Sequence, residues 1–146
     1  MVKEGYELPD NMFLGQFITT FSGKNRIVLP KKFRQEVADG VIYLIEGFDG
    51  GKWGFKTQDW EREAGKRLEQ DLTSTSGRRD RRKFFSSADI CSLDGQGRFI
   101  IPEAMVERAH LKEHILIVGA GDHFEIWEDS DYQKVLENHA DSILIK

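Results

Sequence analysis

The stretch Phe21-Ser22-Gly23-Lys24-Asn25-Arg26-Ile27-Val28-Leu29-Pro30 decides the fold, because Leu93-Asp94-Gly95-Gln96-Gly97-Arg98-Phe99-Ile100-Ile101-Pro102 restates it. Each copy runs apolar residue, oxygen-bearing side chain, glycine, polar residue, Asn or Gly, Arg, three apolar residues, Pro. Self-similarity at a fixed spacing marks a chain built from repeated supersecondary units. Carried outward without gaps, the same spacing sets Ile18 on Ile90, Leu44-Ile45 on Leu116-Ile117, Gly47 on Gly119 and Asp59-Trp60 on Asp131-Tyr132. The reading is a gapless duplication.

The local chemistry of each copy follows from its residue types. Phe17, Ile18 and Phe21, with Thr19 and Thr20 among them, favour a strand. Gly23 and Gly95 suit positive φ, and Asn25 and Gly97 share a position where left-handed backbone is tolerated best. Ser22 and Asp94 are placed to accept hydrogen bonds from backbone N–H groups and brace the turn. β-branched and aromatic residues after Arg26 and Arg98 return the chain as a second strand. Pro30 and Pro102 sit where the first turn of a helix tolerates proline. Strand, tight loop, Arg, strand, short helix is the predicted unit.

In chain order, residues 1–11 are polar, with Gly5 and Pro9, and read as a loose extension without the apolar core of a secretory signal. Strands are expected at 12–21, at 26–29, at 41–45 and at 52–56, the last alternating Trp53 and Phe55. A short helix over 30–37 carries Phe33 and Val37, and a longer one capped by Thr57 or Asp59 runs towards Leu72. Residues 73–77 read as a Ser/Thr/Gly linker, and Arg78-Arg79-Asp80-Arg81-Arg82-Lys83-Phe84-Phe85 as a basic connector helix with its aromatics inward. The second copy repeats the order: strands at 88–93, 98–101, 114–118 and 123–127, helices at 102–109 and 129–138. Ile143-Leu144-Ile145 is an apolar tip that either docks on a neighbouring subunit or frays. A half of about fifty residues buries little core alone. The halves are therefore expected to pack about a pseudo-twofold axis around one shared barrel-like core, with unpaired strand edges that oligomerisation would cover.

Charge separates the two copies more than any other property. Residues 21–35 hold Lys24, Arg26, Lys31, Lys32 and Arg34 and no acid, whereas the matching stretch sets Arg98 against Asp94, Glu103 and Glu107. A basic hairpin with a tight loop suits phosphate contact with salt-dependent affinity, and an arginine there can read a guanine edge. The alternative is an ordinary solvated face. The net charge of −4 over 146 residues argues against binding nucleic acid over the whole surface but not against a local patch. The Arg78 to Lys83 run reads as a structural connector whose arginines pair with acidic neighbours, including those of the acid-rich C-terminal third, with a phosphate contact as the other reading.

Enzymatic chemistry finds little support. His110, His114, His123, His139 and Cys91 lack metal-ligand spacing, so no cofactor or metal is expected. Gly47 to Gly51 has neither a phosphate-loop nor a dinucleotide pattern. Asp122-His123 falls in a hairpin turn with no nucleophile beside it. Cys91 is alone, which fits a reducing compartment, and no apolar run approaches the roughly 18 residues of a membrane span.

Tandem Asp-x-x-x-Arg hairpins followed by an apolar triplet, Pro and a short helix resemble the MraZ family, whose repeats belong to the AbrB-like group of swapped-hairpin DNA-binding domains. The resemblance covers residues 12–138 and is carried by 23–34, 81–88, Leu93 to Arg98 and Phe124-Glu125-Ile126-Trp127. It implies a cytoplasmic, nucleoid-associated transcriptional regulator, not an enzyme, that binds short direct repeats in the promoter of a division and cell-wall gene cluster as a ring of many subunits. It implies a mostly β fold with short helices: an extension at 1–11, a first AbrB-like repeat at 12–72, a linker and basic helix at 73–85, a second repeat at 86–138 and a tail at 139–146, the repeats forming a double-split barrel-like core.

The expected DNA-contacting residues are Lys24, Asn25, Arg26, Lys31, Lys32, Arg34 and Arg98, with Ser22, Gly23, Asp94, Gly95 and Gly97 shaping the loops. The family's Asp carries over to Asp94 but is Ser22 in the first copy, so Arg26 is expected to be freer than Arg98. The partners are double-stranded DNA and further copies of the chain, with no membrane and no small-molecule substrate. The rival readings are an AbrB-like antitoxin, which would need a disordered toxin-binding tail, and a structural oligomer without DNA binding.

Overall fold

The computed structural model describes residues 12–144, with side chains as far as residue 138; the expected extension at 1–11 lies outside that range, as do Ile145 and the side chains of Ile143 and Leu144 in the apolar tip. Chain order is β1 (Gln16–Thr19), β2 (Arg26–Val28), α1 (Lys31–Arg34), β3 (Val41–Glu46), β4 (Lys52–Phe55), α2 (Thr57–Leu68), α3 (Thr75–Ser86), β5 (Asp89–Ser92), β6 (Arg98–Ile100), α4 (Glu103–Arg108), β7 (Ile115–Gly119), β8 (Phe124–Glu128) and α5 (Asp129–Leu144).

Helix is more extensive than a mostly β reading allows, and the fold is mixed α/β. Two causes are visible. The 73–77 stretch is a helix start rather than a linker: Ser74 caps α3, its hydroxyl accepting from the Gly77 N–H at 2.8 Å. Gly77 is buried there, and a Cβ at that position would sit 2.3 Å from the Asp71 carbonyl oxygen. At the other end, α5 continues past residue 138 to Leu144. The expected cap of α2 also differs. Lys56 is its N-cap without a side-chain cap bond, Thr57 Oγ1 donates to Asp39 Oδ2 at 2.6 Å, and Asp59 is buried in ion pairs with Lys56 and Arg62.

Six strands form one antiparallel sheet in the order β1-β7-β8-β4-β3-β5, and β2 pairs with β6 in a separate two-stranded ribbon. The first strand of each copy pairs with the third strand of the other, β1 with β7 and β5 with β3. The two hairpins meet at the sheet centre, where Trp53 faces Glu125. In the ribbon Ile27 faces Phe99. Each of these pairs joins equivalent positions of the two copies, so exchanging the copies leaves both ladders unchanged.

The duplication is not gapless. The core-facing residues of β3 are Ile42 and Leu44, and those of β7 are Ile115 and Ile117, one residue further along than the spacing of the motifs requires. One extra residue precedes β7, and the β7–β8 turn is shorter by one than the β3–β4 turn. Setting Leu44 on Leu116 would have matched a core-facing side chain with one on the opposite face, because successive strand residues point to opposite sides. Gly47 on Gly119 fails as well, because Gly119 is the last residue of β7 and Gly47 lies beyond the end of β3.

The main core lies between the sheet and the ribbon. Ile27, Leu29, Phe99 and Ile101 meet Ile42, Leu44, Ile115 and Ile117 there, with Phe33 of α1 and Met105 of α4. Phe13, held by a backbone bridge to Gly121, packs edge-on against Phe33 and Phe124. On the opposite sheet face Ile45 and Phe55 meet Trp60 and Phe84, whose rings stack 5.0 Å apart. Helices α2 and α3 thus cover the face away from the ribbon. Strands β1 and β5 end the sheet, and equivalent residues on them, Ile18 and Ile90, are 65% and 64% exposed.

Candidate nucleic-acid interface

Alternation in the ribbon turns Ile27 and Phe99 inward, so its outward face carries Arg26, Val28, Arg98 and Ile100. Arg26 stands opposite Ile100, and Arg98 opposite Val28. Both arginines line a shallow groove of ≈ 380 Å³ beside β5, together with Ile90, Ser92 and Asp94.

The two loops reach one shape by different chemistry. In the first copy Gly23 has φ 90° and Asn25 φ 59°, the left-handed backbone expected of both. Ser22 braces this turn with its backbone, not its hydroxyl: its N–H donates to the Arg26 carbonyl at 2.7 Å and its carbonyl accepts from Arg26 Nε at 2.5 Å. In the second copy Gly97 has φ 77° but Gly95 is not left-handed, contrary to expectation. Asp94 turns the chain instead. Its Oδ1 accepts from the Gln96 and Arg98 N–H groups, each at 2.9 Å, and its Oδ2 accepts from Arg98 Nε at 2.8 Å. Arg98 is therefore held by a carboxylate, whereas Arg26 has no ion pair among the described residues.

The basic residues of the first copy do not form one face. Each loop is tied to the other copy's strand: the Ile101 N–H donates to the Asn25 carbonyl at 2.7 Å, and the Leu29 N–H to the Gly97 carbonyl at 2.9 Å. Lys24 consequently lies beside α4, its Nζ 3.7 Å from Glu103 Oε1. Exposed Lys31 and Lys32 lie on α1 with Arg34, whose Nη1 donates to the Gln96 carbonyl at 3.1 Å. The ribbon thus has two composite ends, Lys24 and Arg26 with α4 at one, and Lys31, Lys32 and Arg34 with the second loop at the other. Sequence reasoning passed over Gln96, because its place beside α1 depends on a long-range crossing.

Helix α3 differs from its structural-connector reading in one respect. Phe84 is buried as expected, but among the described residues no acid of the C-terminal third pairs with these arginines. Asp80 reaches Arg67 at 3.7 Å, Arg78 donates to the Leu72 carbonyl, and Arg79, Arg81 and Arg82 have no ion pair among the described residues. His123 packs on Trp53, ring centroids 4.6 Å apart, and bonds Asp122 and Glu125, whose carboxylates raise its pKa against the lowering effect of burial. This cluster sits at the seam between the copies. No group of described His, Cys, Asp and Glu residues could hold a metal ion, and no described helix is long and apolar enough to cross a membrane.

A family model described as "MraZ protein, putative antitoxin-like" matches residues 84–144. The transcriptional regulator MraZ of Roseiflexus castenholzii is 38% identical over 125 residues, which cover 86% of this chain and 87% of that one. The chain belongs to the MraZ family. Among other MraZ relatives, that of Clostridium acetobutylicum is 34% identical over 130 residues, covering 89% and 91% of the two chains. That of Desulfosudis oleivorans is 33% identical over 133 residues, covering 90% of each. All three relatives are named as transcriptional regulators, which agrees with the non-enzymatic reading.

In this MraZ chain the Arg98 backbone N–H, foremost, holds the Asp94 carboxyl down at about 2, with the Arg98 guanidinium and the Gln96 N–H adding to it. A pKa depressed in the folded state gives stability that is present above the unfolded value and lost as pH falls through the folded one. Asp94→Asn is therefore expected to be less stable than the parent near neutral pH. The gap should narrow as pH drops from 3.8 towards about 2. Urea melts across that range check it, and a gap independent of pH would contradict the role given to the carboxylate.

Proposed function

We propose that this chain is a sequence-specific DNA-binding transcriptional regulator, and that the outward face of the β2–β6 ribbon with its two loop ends is the surface that meets DNA. The observation that carries the reading is the pair Arg26 and Arg98, both half-buried, on the outward face of one two-stranded ribbon flanked at both ends by lysines. A two-stranded ribbon fits the major groove, and arginine there reads guanine O6 and N7. Lys24, Lys31 and Lys32 are assigned to phosphates and fix register, and Arg26 and Asn25 to bases. Arg98, already paired with Asp94, makes the weaker contact. Arg34 belongs to the same surface, in a role taken up below.

The finer architecture belongs to the same proposal. The reciprocal pairing of the copies supports a reading as two swapped-hairpin repeats about a pseudo-twofold axis with a double-split barrel-like core. Uncovered β1 and β5 are different strands, so contact between them in neighbouring copies is heterologous and closes a ring when the rotation permits. A ring of homo-oligomers presents one ribbon per subunit and binds spaced direct repeats through effective concentration. That is how a chain of net charge −4 binds DNA by weak single contacts. The natural target is the promoter of a division and cell-wall gene cluster, in the cytoplasm and at the nucleoid.

Fluorescence anisotropy tests the reading, with DNA from upstream of the chain's own gene against scrambled DNA across a salt series. Selective binding that weakens steeply with salt is expected. An assembled particle without preference for the native DNA would leave a structural oligomer. The antitoxin alternative predicts instead a toxin-like protein partner.

A further inference from the structure

We propose that Arg34 acts as a positioning residue: it holds the second-copy loop 94–97 against α1, so that this loop and the lysines of α1 present themselves to DNA as one unit. The inference rests on the proposed DNA-binding function and deepens it, because it assigns a reading role to a loop that carries no cation of its own.

Four observations converge on Arg34. Its Nη1 donates to the Gln96 carbonyl at 3.1 Å, across the boundary between the copies. Its Nε is buried and makes no hydrogen bond among the described residues. Its side chain lies against Gly97 so closely that a Cβ there would come within 2.1 Å of Arg34 Cδ and 2.5 Å of Nη1. And Gly97 is left-handed, with φ 77°, at the point where its carbonyl accepts from the Leu29 N–H. A residue that only contacted phosphate would keep its guanidinium in solvent, where anions approach. Arg34 is half-buried, with Nε desolvated and one terminal nitrogen committed to a backbone carbonyl of the other copy.

The internal repeat sharpens the point. The residue of α4 that matches Arg34 in the repeat is Val106, whose side chain has no donor. The first-copy loop therefore has no reciprocal clamp of this kind, and it carries its own cation, Lys24, where the second has Gln96. One end of the ribbon supplies charge on the loop itself. The other supplies it from α1 and needs Arg34 to keep loop and helix in register. Gln96, exposed at the tip of that loop, is the side chain so positioned, and glutamine can pair bidentately with adenine.

The test compares Arg34→Ala and Arg34→Lys with the parent. The readouts are DNA affinity across a salt series and hydrogen exchange of the peptide spanning 94–98 without DNA. A positioning role predicts that both variants exchange faster in that peptide and bind native DNA at least 5-fold more weakly, with the slope of log affinity against log salt unchanged. Lysine should not rescue, since a compact ammonium cannot lie flat on Gly97 and reach the Gln96 carbonyl together. A shallower salt slope by about one phosphate contact, with Arg34→Lys near the parent, would make Arg34 an ordinary phosphate contact and overturn the proposal. Unchanged exchange in 94–98 would overturn it as well. If the parent itself shows no DNA affinity while Arg34→Ala still loosens 94–98, the clamp stands and the DNA-binding reading fails.

Discussion

Replacing Arg26 by alanine is expected to weaken binding to the native upstream DNA by about 1–3 kcal/mol, the size of one good arginine–base contact. That is roughly 5- to 150-fold in affinity at each site, and a ring would amplify it because every ribbon is altered at once. The size of the effect follows from how Arg26 is held. Its Nε rests on the Ser22 carbonyl, which aims the guanidinium without neutralising it. Arg98→Ala is expected to cost less, because Asp94 already occupies that arginine. Anisotropy with native and scrambled DNA separates the two possible contacts of Arg26. Loss of discrimination identifies a base contact, and uniform weakening with a shallower salt slope identifies a phosphate. Ser22→Asp should move in the same direction by giving Arg26 a carboxylate of the kind Arg98 has. An Arg26→Ala variant that binds native DNA as well as the parent would remove the ribbon from the interface.

The largest loss of stability is expected from Phe33→Ala, about 3–5 kcal/mol. Phe33 is fully buried and its ring meets Phe13 and Phe17 edge-on, each at 5.2 Å, and Phe124 at 5.9 Å. These aromatics come from three separated parts of the chain and join α1 to both copies. Truncation leaves a cavity that the short α1 cannot close, and it frees the helix that carries Lys31, Lys32 and Arg34. Urea melts measure the first consequence. The second appears as weaker DNA binding under conditions where the variant is still folded. A loss below about 1 kcal/mol would mean the aromatic cluster repacks around the gap.

The repeat unit itself was legible in the chain. Tight loops, the left-handed Asn25 and Gly97, the returning strands and the short helices after Pro30 and Pro102 are written in residue types, because local sterics act over a few residues. Local reading failed wherever one residue type serves two local structures. Ser74 and Gly77 look like linker residues, and serine is equally the preferred start of a helix. Gly95 looks like a left-handed position, but the Asp94 carboxylate bonded to two backbone N–H groups turns the chain without one. The gapless duplication failed because identity at single positions carries no information about which sheet face a residue occupies, and only the shared core, which makes Ile42 the counterpart of Ile115 and Leu44 that of Ile117, fixes that.

By itself, then, the sequence determined the duplicated hairpin unit, its arginines and the excess of positive charge in the first copy. Tertiary structure decided where that charge goes. Pairing β2 with β6 carried Lys24 to α4 of the second copy, and brought the Gln96 loop to Arg34 of the first. The physical reason is that each half has too little apolar surface to bury alone, so the strands pair across the repeat and each end of the ribbon is built from both copies.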